Sequence, residues 1–355
     1  MDEGRVVAAG YGDVTVVVDE QDDLFYTRAA LEAHCPGAGR VTVHPTPASG
    51  HPAALAHDVL YALGKRLAPG PDSPDVWLDS VKAAWQAAAA WTQATGVRHV
   101  LIPRAHLLTP RRIDQLLTWR TATEVQLTLL WQEKARKLPP ALAQVERRLS
   151  SRDSFEELLA EPGPIPARPS FPPGASMPAA PGAKVVAGVS RQPSAWLPQE
   201  PRPASARQVQ HAFPCVGAMA TAHLVQAVPS VDAAAQGTAV LSALAHPLAA
   251  GALSVLAFTR VGLGRLRSTR DLDIAGDVSV IKIHGIAHRS CALYAVPDWA
   301  QPLLAAARAH HRLKPHPEED SVFAPVMRCE ARHLRAHAEC LLHLNVAALV
   351  DVLVP

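Results

Sequence analysis

The chain has 355 residues, 48% of them hydrophobic and 19% charged, with a formal net charge of +2. That length suggests two domains with real cores, and a charge so near zero means that any basic surface is local. The composition also argues against a disulfide framework, because the five cysteines contain no CxxC pair, and against a membrane span, because no apolar run reaches about 18 residues. Asp2 and Glu3 stand where a basic signal-peptide region would be, so a reduced, cytoplasmic protein is expected.

In chain order, "VTVVV" at 14–18 reads as a buried β-branched strand, and a helix starts near Asp22. Further strands are predicted at Arg40–His44, His99–Ile102 and Val125–Leu130. Helical spacing runs from Pro52 to Leu67, through Leu55, Val59, Leu60, Leu63 and Leu67, and places Gly64 and Lys65 within the helix. A second helix runs from Val76 to Thr95, with Trp77, Val81, Trp85 and Ala88 on one face. A third opens with Thr109 as cap and Pro110 at its first position. Strands alternating with helices imply an α/β parallel sheet, covered on both faces, over residues 1–160.

The acidic turn Asp19, Glu20, Gln21, Asp22, Asp23 between the first strand and helix raises two possibilities. A divalent metal could sit among Asp19, Asp22 and Asp23. Alternatively, the acids cap the helix and meet its positive N-terminus, which is the preferred reading. "VVVDE" also fits a Walker B pattern, but only thirteen residues precede Val14, too few for a P-loop ahead of it.

The stretch "VLIPRAHLLTPRRIDQLLTWRTATEVQLTLL" resembles the Walker B to sensor region of AAA+ ATPases, particularly the transposition-helper ATPases. The resemblance covers roughly residues 10–135 and makes Asp19–Asp23 the P-loop place. Pro103 and Arg104 fall where that family has Asp-Glu, which would hold magnesium and orient the attacking water. With no Gly-Lys-Ser/Thr either, the resemblance implies a P-loop-like domain that neither binds nor hydrolyses ATP.

Residues 161–206 carry so many prolines that they read as an extended, protease-sensitive linker. Beyond it, 207–355 read as an α+β, mainly helical domain with a β-hairpin. Residues 208–270 look mostly helical, broken at Pro229 and Pro247. Hairpin strands follow at Val278–Ile283 and Cys291–Val296 around a turn at Gly285, then helices at Trp299–His311 and Cys329–Val350.

Within this half, "LSVLAFTRVGLGRLRSTRDLDIAGDVSVIKIHG" resembles the catalytic core of tyrosine recombinases, the phage integrases. The outline covers 235–342, with Leu256–Thr259, Leu266, Arg270, Asp271 and Asp273 in frame. The catalysts do not carry over. The family's first arginine falls on Gly262, its glutamate on Arg265 and its hairpin lysine near Ile286. Leu334 and Arg335 are kept, but Arg332 and Ala336 replace the flanking histidines. No tyrosine follows Tyr294, so no covalent phosphotyrosyl intermediate can form.

Cys329, His333, His337, Cys340 and His343 share a helical face, but a straight helix cannot gather all five, and no metal or other cofactor is expected. Basic residues cluster around Arg104, Arg111, Arg112, Arg120, Lys134, Arg136, Lys137, Arg147 and Arg148. A second cluster holds Arg260, Arg265, Arg267 and Arg270, backed by Arg328, Arg332 and Arg335. Arginines at turns suit phosphate oxygens. The expectation is a non-catalytic DNA-binding or recombinase/transposition accessory protein. Its DNA contacts would be Arg260, Arg265, Arg267, Arg270 and Arg335, with a recombinase or transposase as a further partner. The alternatives are an ATP- or metal-dependent enzyme with an unconventional site, and a module that binds partners through its proline-rich stretches.

Overall fold

A computed structural model describes residues 14–47, 49–67, 78, 80–143, 145, 147–160, 222–225, 244–259, 261, 263–285, 291–314 and 321–323. The chain divides into two compact units, one of residues 1–63 and 78–167, the other of 64–77 and 168–355. The expected linker 161–206 and the expected helix Cys329–Val350 lie outside the described residues.

The first unit is built on a five-stranded, wholly parallel sheet: β1 (Val14–Val18), β2 (Arg40–Thr42), β3 (His99–Ile102), β4 (Gln126–Trp131) and β5 (Arg147–Leu149). Its spatial order is β2-β3-β4-β1-β5. The three inner strands, β1, β3 and β4, are mostly apolar because a parallel sheet is buried on both faces. One face packs α1 (Leu24–Glu32) and α6 (Arg152–Ala160), with Tyr26, Ala30, Phe155 and Leu158 against Val17, Leu101 and Leu130. The right-handed crossovers usual for parallel strands would put α2 (Ala54–Ala62), α3 (Val81–Ala94) and α4 (Pro110–Thr123) on the opposite face, since their connections run back along the sheet. These three pack together, with Trp85 of α3 tilted on Trp119 of α4. α5 (Pro140–Ala143) is a single turn before β5.

β1 and β3 have the bounds read from sequence. β2 stops at Thr42 rather than His44, and β4 begins one residue later, at Gln126. Thr109 caps α4 as expected, its hydroxyl accepting from the Arg112 amide. The helix predicted from Pro52 to Leu67 is corrected: it spans Ala54–Ala62 and stops because Gly64 takes φ +74°, a left-handed conformation that ends helices. Gly64 and Lys65 are therefore outside it.

The second unit contains a mixed three-stranded sheet in the order β6-β8-β7. β7 (Val280–His284) and β8 (Cys291–Ala295) form the predicted antiparallel pair, while β6 (Ala222–Val225) runs parallel to β8. β6 is a strand inside the range 208–270, where mostly helix was expected; 208–221 and 226–243 lie outside the described residues. α7 (Pro247–Thr259) starts at its proline, as residues without an amide hydrogen favour. α8 (Gln301–Arg312) packs along it. The close approach depends on Gly251: a Cβ there would lie 2.5 Å from the Ala307 Cβ and 3.3 Å from the Leu303 carbonyl oxygen.

Candidate nucleic-acid interface and the crevice of the parallel sheet

Between α7 and β7 the chain makes a 3₁₀ turn over Leu263–Ser268 and a shorter one over Asp271–Asp273. A 3₁₀ turn has three residues per revolution, so positions three apart share a side. Leu266 and Thr269 are fully buried, and Arg265, Arg267 and Arg270 are exposed. Backbone bonds hold the turn down: the Thr269 amide donates to Leu266, and the Val322 amide donates to the Thr269 carbonyl.

The acids beside these arginines point elsewhere. Asp271 accepts from Arg308 Nε at 2.8 Å and from Arg312 Nη2 at 2.8 Å. Burial works against its ionised form, but hydrogen bonds from Arg312 and Arg308 prevail and hold its carboxyl below the usual carboxylate range. Arg308 is itself buried and also donates to the Ala275 carbonyl at 2.7 Å. Asp273 accepts from the Arg270 amide at 2.8 Å on Oδ2 and meets His284 Nε2 at 2.9 Å on Oδ1. Asp277 accepts from the Ser279 amide and hydroxyl. Among the described residues, none of these acids pairs with the side chains of Arg265, Arg267 or Arg270. Arg260 and Arg335, the other two expected DNA contacts, lie outside the described residues.

Sequence reasoning missed a buried relay under this turn. His284 Nδ1 lies 3.2 Å from Cys291 Sγ, so Asp273, His284 and Cys291 stand in the order orienting acid, base, nucleophile. The register was a usable signal: His284 ends one hairpin strand, Cys291 begins the next, and the two are direct partners. Cys291 is only 2% exposed, so the relay is sealed within the hairpin. Tyr294, the last tyrosine of the chain, is buried on β8, and burial pushes its phenol up against a smaller opposing effect of Arg265.

In the first unit the turns after β1, β3 and β4 meet at the carboxyl edge of the sheet, where open α/β sheets bind ligands. Gln132, just past β4, fills that crevice. Its Nε2 donates to Asp22 Oδ1 at 2.7 Å and to Thr27 Oγ1 at 3.0 Å, and its Oε1 accepts from the Arg104 amide at 3.1 Å. Asp22 and Arg104 both sit at positive φ, +52° and +55°. The two left-handed residues, one in the turn after β1 and one in the turn after β3, are thus joined by one side-chain amide.

The acidic turn itself is mostly a cap. Asp23 Oδ1 accepts from the Phe25 amide at 3.0 Å, and its Oδ2 meets Arg152 Nε at 2.9 Å. The Phe25 amide is the main cause that lowers its carboxyl, followed by Arg152. Glu20 accepts from the Ala135 amide. Among the described residues, no three carboxylate, histidine or cysteine groups are placed to hold a metal, so Asp19, Asp22 and Asp23 do not converge on one. The Cys329–His343 face lies outside the described residues.

Four residues of the other basic cluster are engaged within the protein. Arg112 donates to the Ser49 and His51 carbonyls, Arg120 to Val125, Arg148 to Ala143, and Lys137 pairs with Glu133. No described helix is long and apolar enough to cross a membrane. Comparison of the chain with protein-family models, curated proteins and solved structures gives no match.

Proposed function

We propose that this protein binds the phosphate backbone of duplex DNA through Arg265, Arg267 and Arg270, without cutting it, as an accessory factor in recombination or transposition. The observation that supports this is the separation of charge around the turn. Three guanidiniums face outward while Asp271 and Asp273 are engaged inward and Asp277, itself exposed, is held by the neighbouring Ser279. Such a surface offers positive charge to phosphate from a fixed backbone, the property that positions a protein on DNA. A non-catalytic role accords with the missing recombinase residues and with Gln132 in the crevice of the first unit. The parallel order β5-β1-β4-β3-β2, with β4 between the strands at the P-loop and Walker B places, accords with the AAA+ resemblance.

The test is an anisotropy titration of labelled duplex at several salt concentrations. Binding should be micromolar or weaker at physiological salt and weaken steeply as salt rises. Changing Arg265, Arg267 and Arg270 together to alanine should lower affinity and make the log–log salt slope shallower by roughly 2–3. A parent protein with no salt-sensitive binding overturns the reading.

A further inference from the structure

The carboxyl edge of the parallel sheet carries a second feature. The crossover from β1 runs to β2 on one side, whereas that from β4 passes β1 to reach β5 on the other. The turns after β1 and β4 therefore diverge, which defines a topological switch point. Gln132 closes the β1–β4 side. Toward β5 there is a cleft of about 640 Å³, lined by Asp19, Tyr26, Arg148, Ser150 and Arg152 among others. That volume falls within the range of small-molecule sites.

Asp19 distinguishes the cleft from an ordinary surface hollow. It is 5% exposed and follows β1 directly. Its Oδ1 accepts from the Gln21 amide at 3.3 Å, but its buried Oδ2 has no hydrogen-bond partner among the described residues. A buried carboxylate oxygen without a donor is costly and rare in folded proteins. Burial pushes the Asp19 carboxyl up against the backbone amides of Asp23 and Gln21, and the charges of Asp23 and Asp22 add to the rise.

The charge of the lining decides the class of ligand. Asp19, Glu20 and Asp23 face Arg148 and Arg152, and Arg152 is paired with Asp23. The start of α1, which would otherwise favour an anion, is already capped by Asp23. We infer that the cleft binds an organic cation with N–H donors, a primary ammonium or guanidinium group, whose donor meets Asp19 Oδ2. The cation supplies the missing hydrogen bond and offsets the excess carboxylate in one contact.

Agmatine, which carries both groups, is the probe, and isothermal titration calorimetry of the full chain is the measurement. Agmatine should bind with submillimolar affinity. Asp19→Asn keeps the shape and removes the charge, and should weaken binding at least about tenfold, as for a lost charge-assisted bond. Its melting temperature should be no lower than the parent's. Arg148→Glu, at an exposed position, should tighten binding, so the test survives a poorly folded Asp19 variant. Choline, a cation without N–H donors, should bind more weakly than agmatine. The inference is overturned if agmatine does not bind, if Asp19→Asn binds it equally, if choline matches it, or if inorganic phosphate binds in its place. DNA binding by Asp19→Asn should match the parent, which separates this result from the arginine surface.

Discussion

Gln132 Nε2 donates to Asp22 Oδ1 across 2.7 Å, and with that bond the turn after β4 is fastened to the turn after β1. The same amide holds Thr27 and the Arg104 backbone. Gln132→Ala would take the partner from Asp22, which is exposed, and from Thr27 and the Arg104 amide, which are half-buried, a net loss of about 1 kcal/mol. Urea unfolding should show it. The variant should not gain ATP binding, because the Gly-Lys-Ser/Thr sequence is absent from the turn. A saturable micromolar Mg-ATP isotherm from parent or variant would contradict the non-hydrolysing reading.

Asp271 is the anchor of the arginine turn. Asp271→Asn takes the counter-charge from Arg308, which is 2% exposed, and from Arg312. Arg308 is buried but Asp271 is 26% exposed, so the cost should lie below the roughly 3–5 kcal/mol of a fully buried pair. The melting temperature should fall far more than for Arg265→Ala at the exposed rim of the same turn. An equal, small effect from both would show that the network contributes little.

His310 makes stability depend on pH well above the carboxylate range. Burial, with Lys314 and His311 adding to it, pulls its pKa from 6.5 down to about 3. The unfolded chain then binds a proton that the folded chain refuses. Stability is complete above about pH 6.5 and falls by up to about 1.4 kcal/mol per unit as pH drops below it. Urea midpoints measured at pH 7 and pH 5 should differ accordingly, and His310→Phe should flatten the difference.

Gly251→Ala tests the helix crossing against helix propensity. In an exposed helix the change stabilises by about 1 kcal/mol. Here the new methyl meets the Ala307 Cβ at 2.5 Å, so α7 and α8 must separate. Overpacking of this kind costs roughly 1–3 kcal/mol. Calorimetric melting should show destabilisation, and an unchanged or higher midpoint would mean that the helices yield freely.

The two described cysteines should react in opposite order to the relay chemistry. Cys35 is exposed and Cys291 buried. Iodoacetamide followed by peptide mass spectrometry should label Cys35 in the folded protein and Cys291 only after denaturation, because access precedes nucleophilicity. Native labelling of Cys291 at a rate matching Cys35 would show that the Asp273–His284–Cys291 relay opens and is reactive.

The long-range order of the first unit was legible wherever apolar runs met clear punctuation. Val14–Val18 and His99–Ile102 stand out because both faces are buried, and Thr109-Pro110 marks a helix start by its chemistry. β5 was not legible: Arg147, Arg148 and Leu149 have no strand pattern, and pairing with β1 makes the strand. β6 was masked in the same way by an alanine-rich background. The arginine turn was readable from charge, whereas the inward commitments of Asp271 and Asp273 depend on α8 and β7, which lie distant in sequence. Gln132 gives no sequence signal, since its role comes from three loops meeting at one edge.

Both margins of the five-stranded sheet are three-residue strands, β2 and β5, and each carries arginine. An exposed strand edge is a template on which another chain can add itself, and short charged edges deny it length and neutrality. The long apolar strands β1 and β4 lie inside, with neighbours on both sides. Once folded, the sheet therefore resists growth into fibrils through these edges. The hazard falls earlier, during synthesis, because β1 must wait for β4 and β5 more than a hundred residues later before its sides are covered.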